Sequence, residues 1–341
     1  MHLRVTVLGA GPAGSTVAYY LAKGGISAEL IDRVDFPRDK PCAGGLFNPL
    51  GFEKMFPHIK KLEGKDLFRV QYSGGRYSFL YESETPLLRT ILRKDLDLFL
   101  LERAKEAGAR FSVQRNPSCS GEVVIRATGV RRISDYDRAG ICMEYDFPTD
   151  REIDTIYIHY GFCGIKGYCW LYPKYGYANI GIGAYLPQKD IKAVYESYIN
   201  HLERQGVVSV GERRYRARII PFSPVKDPCF GGSVCVGDAA GFVRPGTGEG
   251  IYFAMLSGKI AARMIIENRS SSWYKEECNR EFGRYLRSAV ACLPRGFLNR
   301  VLSKSVRIGG KDEKFRKLLA EDFFRLEYHS LTGSFLRNML K

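Results

Sequence analysis

The 341 residues contain no apolar run near the roughly 18 residues that a membrane-crossing helix requires, so no transmembrane span is predicted. No secretory leader is evident: Met1-His2-Leu3-Arg4 leads at once into an apolar strand, and the expectation is a cytoplasmic protein. The nine cysteines include no C-x-x-C pair, and an odd number at irregular spacing reads as free thiols rather than a disulfide framework. The five histidines are scattered and none stands at ligand spacing from a cysteine, so no zinc site is expected. Acids are in deficit: 37 Asp and Glu face 52 Lys and Arg, a formal charge of +15. Such a field favours anionic partners, but the basic residues form no tract with interleaved aromatics and no nucleic-acid motif is present, so nucleic acid is not expected. Phosphorylated metabolites, an anionic membrane surface to which the protein would be peripheral, and a merely solvated basic face stay open.

What is present begins at Arg4. An apolar run to Leu8 reads as a strand and ends in Gly9-Ala10-Gly11-Pro12-Ala13-Gly14. From Ser15 to Lys23, Val17, Ala18, Leu21 and Ala22 share a helical face, and Gly24-Gly25 stops it. Ala28 to Ile31 forms a second strand that stops at Asp32. Pro and Gly make 35–51 a loop. Residues 66–82 alternate around Ser73-Gly74-Gly75 and predict a hairpin. Ile91 to Gly108 is an amphipathic helix, and Val123 to Arg126 a strand. Residues 140–186 read as antiparallel sheet, Asp190 to Gln205 as a helix, Ser233 to Val236 as a buried strand, and Gly250 to Asn268 as a helix. Basic amphipathic helices follow.

Gly9, Gly11 and Gly14, with Ala13 between them, supply a phosphate turn. The first glycine permits the sharp strand-to-helix turn, the second admits a pyrophosphate, and the third lets helix and strand pack closely. The helix N-terminus presents unpaired N–H groups to the diphosphate. Asp32 is placed to accept from an adenosine ribose. Arg33 beside it would also suit the 2′-phosphate of NADP, but the downstream sequence favours FAD. Gly237-Asp238 ends a strand, where an acid can bind a ribityl chain. Pro245-Gly246-Thr247-Gly248-Glu249-Gly250-Ile251 opens a helix, where Gly248 and Gly250 let backbone approach the isoalloxazine edge. In isolation Gly237-Asp238 also fits an ordinary turn.

The chain resembles the geranylgeranyl reductase family, within the larger group of aromatic hydroxylases and flavin-dependent halogenases, over about residues 4–268. The most specific segment is Gly167-Tyr168-Cys169-Trp170-Leu171-Tyr172-Pro173-Lys174 with Ala178-Asn179-Ile180-Gly181-Ile182-Gly183. It is similar to that family's Y-x-W-x-F-P motif and following strand, with Tyr172 in place of Phe. The resemblance implies that Tyr168, Trp170, Tyr172 and Pro173 line the substrate; otherwise Tyr168 and Trp170 read as sheet core. Lys40-Pro41-Cys42-Ala43-Gly44-Gly45 is similar to the cysteine-glycine loop beside the isoalloxazine. It implies that Cys42, Ala43 and Gly45 touch the flavin and makes Cys42 the candidate catalytic residue, against the alternative of a small buried cysteine. Arg93 matches a cofactor-contacting arginine, or else is a surface charge on its helix. Ala127-Thr128-Gly129 resembles the segment near the adenosine, with Thr128 where Asp is common. Two further departures, a shorter chain after residue 268 and Arg244 before Pro245, bear on the substrate rather than on the flavin.

The expected fold class is α/β: a Rossmann-type FAD-binding domain interleaved with an antiparallel β-sheet substrate domain, plus C-terminal helices. Residues 1–50, 88–130 and 230–270 are expected to bind FAD, 51–87 and 131–229 to cap it, and 271–341 to be helical. The resemblance implies reduction of carbon–carbon double bonds in a prenyl lipid or prenyl diphosphate. No second G-x-G-x-x-G is evident, so the reductant is left as NAD(P)H or a redox protein. The rival enzyme is a flavin-dependent monooxygenase or halogenase, but Tyr168-Cys169-Trp170-Leu171-Tyr172-Pro173 does not fit the halogenase W-x-W-x-I-P pattern. An electron-transfer flavoprotein is the non-catalytic alternative, without a cysteine cluster for an iron–sulfur centre.

Overall fold

The structure is a computed structural model and describes residues 3–47, 49–117, 121–130, 132–287 and 298–325. Its first strand, β1 (Val5–Leu8), is buried along its whole length, as a central parallel strand must be. Helix α1 (Pro12–Lys23) starts before Ser15, where periodicity begins, because proline suits a first turn whose N–H has no partner anyway. It returns to β2 (Ala28–Asp32), which pairs in parallel with β1, Val5 opposite Ala28. The expected loop 35–51 contains β3 (Gly45–Phe47) and the start of α2 (Pro49–Met55). β3 is too short for a readable period and pairs with a strand far downstream, so local sequence does not announce it.

Next come β4 (Gly64–Leu67), β5 (Arg69–Gly74), β6 (Tyr77–Glu82) and β7 (Leu88–Ile91). The hairpin joins β5 to β6, turning at Gly75-Arg76 with Gly74 opposite Tyr77 rather than around Gly74. Helix α3 (Arg93–Glu106), β8 (Arg110–Val113) and β9 (Val123–Arg126) follow. Then β10 (Ala139–Pro148), β11 (Thr155–Tyr160), β12 (Gly167–Lys174), β13 (Tyr177–Tyr185), α4 (Ile191–Arg204) and β14 (Arg216–Pro221) build a second layer. The chain closes with β15 (Cys229–Phe230), β16 (Ser233–Cys235), α5 (Ile251–Ile266), α6 (Ser271–Leu286), α7 (Leu298–Gly309) and α8 (Glu313–Arg325). Of the stretch expected to be helical, 288–297 and 326–341 lie outside the described residues. Among those described, no helix is long and apolar enough to cross a membrane.

The six-stranded sheet runs β8-β2-β1-β9-β16-β15, parallel except for β15. The order reverses between β1 and β9, and it is beyond the carboxyl ends of strands at such a switch that a dinucleotide crevice opens. The seven-stranded sheet runs β14-β10-β13-β12-β11-β5-β6. Its ladders are antiparallel with one correction: β5 and β11 pair in parallel, Thr155 opposite Arg69. The two strands come from stretches separated by α3, β8 and β9, so no hairpin forces them to run oppositely. A small sheet, β3-β7-β4, is tied to the large one where Thr90 Oγ1 donates to the Pro173 carbonyl at 2.5 Å.

Along β12 the two-residue period divides the core. Trp170 and Tyr172 join Tyr72, Ile158, Val306 and Phe324 on the face covered by α7 and α8. Cys169 and Leu171 join Ile180, Tyr195 and Ile199 on the face covered by α4. Around the parallel sheet, Val7, Val17, Leu21, Leu30, Ile125 and Phe253 pack together. Full burial of each such side chain contributes roughly 1.5–3 kcal/mol. Helices α1 and α5 cross so closely that a Cβ on Gly258 would lie 2.6 Å from the Ala13 carbonyl oxygen.

Candidate active site

A cavity of about 1600 Å³ runs from the crevice of the parallel sheet to the aromatic face of the large sheet. Ordinary small-molecule sites enclose roughly 300–1,000 Å³, so there is room for a dinucleotide and a second ligand.

At one end is the glycine turn. Gly9 has φ +99°, and a Cβ there would lie 2.4 Å from the Ala127 carbonyl oxygen. Gly14 abuts Gly9 so tightly that a Cβ would sit 1.8 Å from its oxygen. It packs helix on strand, as its position in the motif implies, and does not line the cavity. Gly11 and Ala13 do. Asp32, 7% exposed, braces the turn by accepting from the Ala10 N–H at 2.7 Å. It also accepts from the Arg33 N–H at 2.7 Å and from Arg38 at 3.1 Å. Arg33 and Gly129 reach the same rim.

Arg38 joins two carboxylates: its guanidinium bonds Asp32 and lies 3.4 Å from Asp97. Asp97 is fully buried and holds Arg93 through a 2.8 Å ion pair one helical turn away. Arg93 is 7% exposed, which removes the surface-charge alternative and puts its guanidinium on the cavity wall. Lys40 joins this group: burial lowers its pKa first, Arg93 lowers it further, and Asp238 and Asp97 oppose the shift. Cations concentrated beyond a helix N-terminus can hold a diphosphate.

Cys42 lies beside Arg93 on the cavity wall. Its sulfur accepts from the Gly44 N–H at 3.4 Å and bonds the Arg93 side chain. Lys174 Nζ donates to the Cys42 carbonyl at 3.1 Å and to Asp146 at 3.0 Å, fixing the loop that also carries Ala43 and Gly45. Behind it runs a buried polar chain. Trp170 Nε1 donates to Asn179 Oδ1 at 2.7 Å, and Asn179 Nδ2 donates to Asp146 at 2.8 Å and to Glu144. Burial pushes the Glu144 carboxyl up to about 7 despite the Asn179 bond. Tyr168, Trp170 and Tyr172 form the aromatic wall. Trp170, at 5% exposure, is sheet core and cavity lining at once. Pro173 is absent from the wall, its carbonyl engaged by Thr90.

The third wall is the stretch before α5. Tyr136 Oη donates to the Asp238 carbonyl at 2.9 Å, and a Cβ on Gly250 would stand 3.2 Å from the Asp238 carboxylate. Gly248 has φ +73°, a backbone conformation that favours glycine. The loop closes on itself: Arg244 N–H donates to the Glu249 carbonyl at 2.8 Å and Gly248 N–H to the Arg244 carbonyl at 3.0 Å. Tyr168 Oη donates to the Thr247 carbonyl at 2.5 Å, joining aromatic wall to loop. Ile251 and Asp238 line the cavity here.

The sequence reading therefore missed Arg38, Lys40, Asp97, Glu144, Asn179 and Glu249 as members of this neighbourhood. The signal for the first two was charge inside a Pro- and Gly-rich loop beside Cys42. The signal for Glu249 was a carboxylate set between two glycines at a helix start.

These residues fit FAD. The Gly11 cradle is open except for the Arg38 guanidinium, 3.1 Å from where a Cβ would sit, and the buried Arg38 Nε has no hydrogen-bond partner among the described residues. A donor without a partner at the mouth of a phosphate turn suits an anionic group.

The chain is 32% identical over 317 residues to an uncharacterized protein of Methanosarcina barkeri, across 84% of this chain and 80% of that one. It is 29% identical to digeranylgeranylglycerophospholipid reductase 2 of Methanothermobacter thermautotrophicus, across 85% of this chain and 86% of the relative. Its fold matches that of a geranylgeranyl bacteriochlorophyll reductase-like protein of Thermoplasma acidophilum with a TM-score of 0.79, at 21% identity and 99% coverage of both chains. No family model matches the sequence. With its glycine turn, Asp238 loop and aromatic strand arranged around one cavity, the chain is a homologue of proteins named geranylgeranyl reductases, which are flavin-dependent oxidoreductases.

Proposed function

We propose that the protein reduces carbon–carbon double bonds of a geranylgeranyl-type prenyl lipid or prenyl diphosphate, using FAD. The observation that carries this reading is a single cavity whose two ends differ in character: glycine backbone and cations at one, Tyr168, Trp170 and Tyr172 at the other. The first suits a dinucleotide, the second a long apolar chain. Residues 1–50, 88–130 and 230–270 form the FAD half and 51–87 and 131–229 the cap, and the described residues of 271–341 make up the helical remainder. Gly9, Gly11, Ala13, Asp32, Arg33 and Gly129 hold the adenosine diphosphate. Arg93, Asp238, Gly248, Gly250 and Ile251 hold the rest of the cofactor, and Cys42, Ala43 and Gly45 face its reacting end.

When bound, FAD supplies the hydride. An isolated alkene accepts hydride poorly, so the residues must exclude water and hold the alkene in place. Trp170 is fixed for this by its bond to Asn179, and Tyr168 by its bond to Thr247. The electron donor is NAD(P)H or a redox protein. The protein binds an anionic membrane surface through exposed Arg300, Arg307, Lys311, Lys314 and Lys317 on and between α7 and α8.

The test is anaerobic photoreduction of the purified flavoprotein, followed by geranylgeranyl diphosphate or a geranylgeranyl lipid. Flavin reoxidation with a product heavier by one hydrogen molecule per bond is expected. Reoxidation only on admission of air would sink the reading for those substrates and favour oxygen chemistry.

A further inference from the structure

The loop before α5 contains a buried acid. Glu249 is 5% exposed and lines the cavity, and neither of its carboxylate oxygens has a hydrogen-bond partner among the described residues. Carboxylates that are buried for structural reasons are hydrogen-bonded, and Asp32 and Asp97 here are. A carboxylate without such partners takes up a proton instead of remaining charged. The groups that face it are Arg244 from its own loop, Tyr172 from β12 and Tyr252 from α5, with Cys42 beyond Tyr172. Burial raises the Glu249 carboxyl to about 8, and Arg244 only partly opposes this. At neutral pH the acid form therefore predominates.

Of the other proton-bearing groups on the wall, Tyr168 Oη is committed to the Thr247 carbonyl; Cys42 Sγ accepts from the Gly44 N–H, which leaves its own proton as the rival donor that the Glu249→Gln rate distinguishes. Tyr172 is raised well above the ordinary phenol range by burial, which makes it the weaker acid.

We propose that Glu249 is the catalytic acid, delivering its carboxyl proton to the prenyl double bond from the aromatic end of the cavity. The proposal rests on the prenyl-reduction reading. The alkene π bond breaks, and one new C–H bond forms with hydride from the reduced flavin, which is left oxidised. The second forms with the Glu249 proton, and the resulting carboxylate recovers a proton from water at the cavity mouth.

Two measurements test this. Infrared difference spectra of the whole protein, titrated with alkali, should show a carboxylic acid carbonyl band that disappears with a midpoint near 8 and is missing from Glu249→Gln. Absence of that band overturns the proposal without reference to any substrate. In single turnover, the photoreduced protein is mixed with geranylgeranyl diphosphate. Glu249→Gln should bind and photoreduce flavin normally yet reoxidise about 10²-fold or more slowly, in keeping with loss of a general acid. Glu249→Asp should retain part of the rate, and the wild-type rate should fall above the same midpoint while that of Glu249→Gln stays flat. An active wild type with an equally fast Glu249→Gln overturns the proposal and leaves prenyl reduction standing. A wild type that shows the band but reduces no prenyl substrate overturns the prenyl reading, and the assignment with it.

Discussion

Lys174 reaches from β12 to the Cys42 carbonyl oxygen at 3.1 Å with a side chain only 1% exposed. One side chain thus pins the loop beside the cavity to the large sheet, with Asp146, 2.7 Å away, as counter-charge. A Cβ on Gly44 would meet the same ammonium at 3.1 Å, so loop and lysine are fitted to each other. Lys174→Met keeps the length and removes the charge. It should cost about 2 kcal/mol, below the range for a fully buried pair because Asp146 is partly solvated, and should lower bound flavin per protein. Urea unfolding and the absorbance ratio of the purified protein check both.

Gly14→Ala should be more damaging than its single methyl suggests. The added carbon would stand 1.8 Å from a backbone oxygen, which cannot move aside as a flexible side chain would. Overpacking on this scale costs about 1–3 kcal/mol or more, and the displaced turn should no longer retain flavin. Gly25→Ala is the control: its φ of +77° strains an alanine, but a Cβ there meets nothing within 4 Å. That variant should lose about 1 kcal/mol and keep its flavin.

The contrast between these two glycines bears on what could be read from the chain. The turn, α1 and β2 are contiguous, and Asp32 braces Ala10 within that same unit, so motif and geometry coincide. Arg93 kept a surface charge as its alternative, because nothing local reveals that Asp97 is buried beside it and that Arg38 arrives from another segment. β3 is three residues long and its partner lies in β7, so Gly and Pro content pointed to a loop. Pro173 was assigned by motif to the substrate, yet the period of β12 places Trp170 and Tyr172 on the wall and leaves Pro173 bonding Thr90. Local chemistry was legible, and neighbours assembled from distant segments were not.

Trp170→Phe should separate packing from hydrogen bonding in the aromatic wall. The phenyl ring keeps an apolar surface but leaves Asn179 Oδ1 buried without its 2.7 Å donor. A loss of about 1–3 kcal/mol is expected, measured by thermal or denaturant unfolding. Asn179→Leu should cost more, since both the indole N–H and Glu144 lose their partner.

Stability should fall as pH rises from about 6.5 to 8; below that range the His159 imidazole, lowered from 6.5 to about 4 by burial, acts in the opposite sense. Burial raises Glu144 from 4.5 to about 7 and Glu249 from 4.5 to about 8. Between the unfolded and folded values the native state holds more protons, so the contribution is full below 4.5 and is lost as pH climbs through 7 and 8. Each group adds a slope of at most about 1.4 kcal/mol per pH unit. Glu249→Gln should flatten the upper part of the curve, and unfolding midpoints across the pH range report it.

Sedimentation with anionic vesicles should carry the protein down at low salt and release it as ionic strength rises, while neutral vesicles should not bind it. Replacing Arg307, Lys311 and Lys314 with Gln should abolish the binding without changing flavin content, because these side chains are exposed and far in sequence from the cavity residues. Equal binding to both vesicle types would point to apolar insertion instead.

The parallel ladder between β5 and β11 governs how the chain must come off the ribosome. The β5–β6 hairpin is synthesised early, but its neighbour in the sheet emerges only after α3, β8 and β9 have been made. Until then β5 has an unpaired edge, a template for association with other nascent chains. The catalytic hollow cannot be transplanted as a module, because cutting the chain anywhere between Gly74 and Thr155 separates strands that one sheet needs together.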